Sequence, residues 1–153
     1  MDKLSIQFVS FCLLALVAGG LMALQPPVNA RLAGQCTHPL QASIISFGTG
    51  CLALVIIGCL LKIGLPSPTS LGQLPAWAWM GGLIGCYMVT VSLLVAPELG
   101  ATRWIALVLA GQIVVSLFLD HFGLLGFDKQ PVNWIRLLGI GLVVVGVILV
   151  LRK

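Results

Sequence analysis

Gln112, Ser116 and Asp120 recur at i, i+4 and i+8 along a stretch that is otherwise almost wholly apolar. On a helix this spacing puts the three side chains on one side, as a stripe about 12 Å long at the standard rise per residue. An amide, a hydroxyl and a carboxylate in a row can exchange donor and acceptor roles with a polar molecule and its water. That is the chemistry of a binding path rather than of bond cleavage. Gln112 and Ser116 also suit a second role, bonding neighbouring helices at about 1 kcal/mol per bond. The ionisable end of the stripe favours the path.

Asp120 and Glu98 lie at opposite ends of this stretch, and each is a candidate for carrying a coupling proton. A solvated helix-end charge is the other reading. It is favoured for Glu98, which stands beside Pro97 and near Arg103. His121 follows Asp120 directly and on a helix faces elsewhere, so it reads as an interfacial residue. Gln25 and Asn29 share the i, i+4 spacing and face one cavity if their helix continues past Pro26 and Pro27. Ser43 and Ser46 either line the same cavity or, as is commoner, bond back to their own helix. Tyr87, the only tyrosine, either stacks on a cationic cargo or packs; packing is the commoner fate of a single aromatic. The substrate-binding candidates are thus Gln112, Ser116, Gln25, Asn29 and Tyr87, and the ion-coupling candidates are Asp120 and Glu98.

Signals for catalysis are missing. The sequence has no GxSxG elbow, HExxH, Walker-type loop or GxGxxG. The five cysteines form no CxxC and no Cys/His spacing suited to zinc. Four of them lie in apolar runs and read as small buried hydrophobes. Neither an enzyme nor a metal or cofactor site is expected.

The elements that hold these residues follow from composition. Among 153 residues, 59% are hydrophobic and 8% charged. Adding the 18 glycines brings the apolar share to roughly 70%, against about half in globular proteins. Twelve charged side chains cannot clothe a soluble fold, so the chain reads as an integral membrane protein. Disordered chains and secreted disulfide scaffolds are excluded. The eight Lys and Arg are scattered singly, so no nucleic acid is a partner. Five apolar stretches, at about 4–24, 40–61, 74–95, 101–119 and 134–151, are long enough to cross a bilayer as helices. All four tryptophans lie near span ends, where interfacial belts place them. The first stretch exceeds the 7–15 residues of a signal-peptide core and is read as uncleaved. It either stops at Leu24 or continues as a broken helix through the prolines.

With the N-terminus inside, Lys3, Lys62, Lys129 and Arg136 fall on the inner side and Arg31, Arg103, Arg152 and Lys153 on the outer. Four against four leaves no positive-inside bias, so insertion in both orientations is expected. Five spans put the termini on opposite faces. An antiparallel pair of chains therefore reproduces the inverted repeat of many secondary transporters. A fixed orientation set by weaker signals is the alternative.

Several segments carry a resemblance. The run from Gly19-Gly20 through Gln25-Pro-Pro-Val-Asn29-Ala30 resembles the YdcZ-like family of five-helix proteins in the drug/metabolite transporter superfamily. So do Ala42-Ser43-Ile-Ile-Ser46-Phe47-Gly48, Gly81-Gly82-Leu-Ile-Gly85 and Ala96-Pro97-Glu98-Leu99-Gly100-Ala101. The most specific block is Gly111-Gln112-Ile-Val-Val-Ser116-Leu-Phe-Leu-Asp120-His121-Phe122-Gly123-Leu-Leu-Gly126. The resemblance implies a half-size relative of ten-helix carriers and an inner-membrane exporter. It names no cargo. Small multidrug resistance proteins, short relatives within the superfamily, couple protons through a glutamate in their first helix. Here no acid lies between Leu4 and Leu24, so that mechanism does not carry over. Gly139 and Gly146, seven apart, resemble the glycine pair that joins subunits in the last helix of those proteins, and mark the expected dimer interface. Gly81 and Gly85 have GxxxG spacing and are read as packing within one subunit.

The expected fold is all-α and integral to the membrane, with five transmembrane helices as one half of an inverted-repeat ten-helix transporter. The expected function is export of a small metabolite or drug-like compound by alternating access, as an antiparallel homodimer in the inner membrane. The alternatives are a non-transporting membrane subunit, or one half of a heterodimer with an oppositely oriented paralogue. The expected partners are the bilayer, a small-molecule cargo and a second copy of the chain.

Overall fold

In a bilayer a backbone must meet its own hydrogen bonds, and an apolar run can do so only as a helix. The computed structural model of the chain, which describes residues 3–152, contains five helices long and apolar enough to span a membrane. Lys153, one of the cations in the charge count, lies outside the described residues, as does the side chain of Lys3. The chain forms two compact units, one ending at Pro97 and one beginning at Glu98.

The first unit opens with α1, Lys3–Ala33, which runs unbroken through Pro26 and Pro27. The stop considered at Leu24 is therefore absent. Each proline removes one N–H, facing the carbonyls of Met22 and Ala23, while the flanking residues keep their bonds. Unwinding the turn would expose more backbone than the prolines free, which hydrocarbon penalises. A tight turn follows, with Gly34 N donating to Ala30 O at 3.0 Å and Cys36 N to Ala33 O at 3.0 Å.

The next helix, α2, spans Pro39–Leu60. Its start is fixed by reciprocal caps. His38 Nδ1 accepts from Leu40 N at 3.1 Å, while Gln41 Oε1 accepts from Thr37 N at 3.0 Å and His38 N at 3.3 Å. Pro39 supplies a preset φ at the first turn. After α2 come a short helix α3, Pro68–Gly72, and a 3-10 turn at Ala76–Trp79, before α4 at Met80–Leu99. α4 also runs through its proline, Pro97; the break falls at Gly100, whose φ of 84° suits glycine. α2 and α4 touch where Ser43 Oγ meets Thr90 Oγ1 at 3.0 Å, and where the Phe47 ring lies against the bare Cα of Gly85. The small residue at Gly85 thus serves packing inside one chain.

The second unit pairs α5, Ala101–Phe122, with α6, Trp134–Leu151. Most large apolar side chains of both units are exposed, the surface expected of helices that face lipid or other subunits. Trp104, in the first turn of α5, is buried, whereas Trp134, at the start of α6, is exposed. The four cysteines in apolar runs, Cys12, Cys51, Cys59 and Cys86, are exposed and free; they lie on apolar surface rather than in a core.

Candidate functional site

The site in the second unit begins with the end of α5. Gly123 closes that helix at φ 64°, and Leu124 N donates back to Leu119 O at 3.0 Å. A Cβ at Gly123 would lie 3.2 Å from Lys129 Cβ and 3.3 Å from Phe127 O, so the returning loop needs glycine there for space as well as for φ. The loop is then tied to the helix end. Gln130 N donates to Asp120 O at 2.7 Å, and Val132 N donates to His121 Nδ1 at 3.3 Å. His121 thus holds the loop, with its ring edge-on to Phe122, and does not face Asp120's carboxylate as a relay. Asn133 caps α6 by accepting from Arg136 N at 2.9 Å.

These ties set Arg136, in the first turn of α6, level with Asp120, in the last turn of α5. Arg136 Nη1 donates to Asp120 Oδ2 at 3.4 Å, each side chain about a third exposed (35% and 34%). Nη1 also reaches Gln130 O at 3.4 Å, and Nη2 bonds Gln130 Oε1. Asp120 is therefore an ion-paired acid at a helix end, and Arg136 is the functional candidate that the stripe alone did not reveal. Its signal was available: helices that turn back through a short loop bring residues equally far from the loop to one depth.

Between the two helices runs a groove of about 360 Å³, lined by Ile113, Ser116, Leu117 and Asp120 from α5 and by Arg136, Gly139, Ile140 and Val143 from α6. Both sets follow the i, i+3, i+4, i+7 pattern of one helix face. Ser116 lines it while its hydroxyl donates to Ile113 O at 2.9 Å, which leaves the oxygen free to accept. Gln112 is exposed and does not line it. An i, i+4, i+8 series drifts about 40° per step, so Gln112 stands roughly 80° round from Asp120. Gly139 lines the groove, and Gly146 lies farther along α6; a Cβ at either meets nothing within 4 Å. Glu98 is exposed at the end of α4.

The first unit holds the other candidates. Asn29 is buried, at 4% exposure, whereas Gln25 is exposed; the buried line on α1 runs through Pro26 and Asn29 instead. Ser43 is buried too and bonds across to Thr90 rather than back to its own helix, contrary to expectation. Ser92, buried on α4, donates to Val89 O at 2.7 Å. Tyr87 is 68% exposed on α4 and meets none of the other candidates. Among the described residues no group of three His, Cys, Asp or Glu side chains could hold a metal ion.

A family model described as "Putative inner membrane exporter, YdcZ" matches residues 10–149 of the chain. No curated protein and no solved structure matches it significantly.

Proposed function

The chain belongs to the YdcZ family and is a multi-pass protein of the inner membrane, and from that premise we propose that it is the subunit of a small-molecule exporter working by alternating access. The observation that carries the reading is the α5–α6 groove. In a helix pair whose surface is mostly apolar, it gathers a hydroxyl, a carboxylate and a guanidinium around a space of about 360 Å³. Intramembrane polar groups are costly, and their concentration along one groove is the pattern of a solute path.

Two chains inserted antiparallel complete the carrier. Three features support this: the odd number of spans, the even split of cations, and the open space around Gly139 and Gly146, where a second helix can approach closely. The two subunits then exchange shapes as a central site opens to each side in turn.

The test is a comparison of compounds accumulating outside cells that produce either the native chain or its Ser116→Ala and Arg136→Gln variants at equal membrane levels. A compound released by the native chain and reduced several-fold in the variants is the expected result. Identical profiles for native chain, variants and empty vector overturn the exporter reading and favour a non-transporting subunit.

A further inference from the structure

In the first unit one buried polar group stands without a partner. Asn29 is 96% buried by its 4% exposure, and among the described residues its Nδ2 has no hydrogen-bond partner. A buried donor left unmet is costly, and native structures rarely retain one without a reason. The polar groups around its level are otherwise engaged. Asn29 lies one turn before α1 ends at Ala33, and Ser43 one turn after α2 begins at Pro39, so across the short α1–α2 turn they stand at one depth. Ser43 is met by Thr90 at 3.0 Å, and Ser92 by Val89 O at 2.7 Å.

α1 supplies the complementary function itself. Pro26, buried on the same line as Asn29, and Pro27 carry no N–H, so the carbonyls of Met22 and Ala23 lose their helical donors. This stretch of α1 therefore offers, within about two helical turns, a free amide donor and two carbonyls with spare acceptor capacity. It offers no charge. Between Lys3 and Arg31 the only ionisable side chain of α1 is the thiol of Cys12, and Arg31 itself is exposed; α2 has only its cysteines from Pro39 to Leu60, and the only charged residue of α4, Glu98, is exposed at its end. An ion taken into such a site would stay unpaired, which a low-dielectric interior forbids.

We propose that Asn29 and the proline-freed carbonyls of α1 form a binding site for an uncharged hydrogen-bonding cargo, one whose oxygen accepts from Asn29 Nδ2 and whose N–H donates to α1, as a carboxamide does. The proposal rests on the exporter reading for its biological sense, but its test is of binding, so the two fail separately.

Three probes of nearly one shape and different charge decide it: benzamide, benzoate and benzamidinium, titrated at neutral pH against the purified full chain in lipid nanodiscs. Benzamide binds the native chain at least about tenfold more tightly than either ion, and Asn29→Ala weakens it about tenfold, the range of one neutral hydrogen bond. Asn29→Asp, which puts a carboxylate at the same place, shifts the preference from benzamide to benzamidinium. That gain of binding cannot come from misfolding, and circular dichroism checks that both variants keep their helices. Equal or tighter binding of an ion to the native chain overturns the proposal, as does benzamide binding that Asn29→Ala leaves unchanged, or no binding of any probe. A chain that binds benzamide through Asn29 yet moves no solute across proteoliposomes overturns the exporter reading and leaves the site standing.

Discussion

Arg136, in the first turn of α6, donates from Nη1 to Oδ2 of Asp120, in the last turn of α5, across 3.4 Å, and the same guanidinium bonds the backbone and side chain of Gln130 in the loop between them. The two helices and their connection are thus joined at one cluster, which also forms one end of the α5–α6 groove. The pair is partly solvated, so its Coulomb attraction is modest.

A double-mutant cycle on Asp120→Asn and Arg136→Gln therefore gives a coupling of about 0.5 kcal/mol in unfolding stability. Export falls much more steeply than stability in either single variant, because both groups line the groove proposed as the path. Thermal unfolding in detergent, beside export at matched levels, separates the two effects. A coupling of several kcal/mol with export retained would make the pair structural only.

Gly123 holds the loop that delivers Arg136. Gly123→Ala forces an L side chain into φ 64° and against Phe127 O and Lys129 Cβ. The expected cost is about 1–2 kcal/mol, read as a lower unfolding midpoint. Because the loop carries Gln130 and leads into α6, the variant also loses export, although Gly123 touches no cargo. Unchanged stability and export would remove the loop from the account.

The Ser43–Thr90 pair ties α2 to α4 where both are apolar on either side. Ser43→Ala and Thr90→Val each destabilise the chain by about 1 kcal/mol, and the double variant costs less than their sum, since each hydroxyl is the other's partner. Additive losses would mean that each hydroxyl bonds elsewhere.

Hydropathy alone located the five helices, because chain length in hydrocarbon and backbone satisfaction leave few alternatives. The ends were harder to read. Pro26, Pro27 and Pro97 suggested stops, yet α1 and α4 run through them. The rules for proline were framed against water, which rewards unravelled backbone; a bilayer does not. Within the groove, Ser116 and Asp120 were legible from their spacing, but Gln112 was not separated from them because a four-residue step overshoots a helical turn. Arg136 was missed because it was counted as a topological charge rather than placed opposite its neighbour across the loop. Asn29 was legible as a polar residue near two prolines; that it is buried while Gln25 is exposed depends on which side of α1 faces inward, and i, i+4 spacing does not fix that.

Orientation decides whether one chain can supply both halves of the carrier. The reporter is Gln35→Cys, exposed in the α1–α2 turn, in a chain whose five native cysteines are replaced by alanine; Cys36 itself is half-buried, with Sγ turned to Leu32 O at 3.4 Å. A membrane-impermeant maleimide is applied to intact cells, and again after the inner face is opened. Labelling of about half the population from each side is predicted, because an even split of cations removes the positive-inside bias. Labelling from one side only overturns the self-inverted homodimer and leaves a partner of opposite orientation, or a subunit that carries nothing alone.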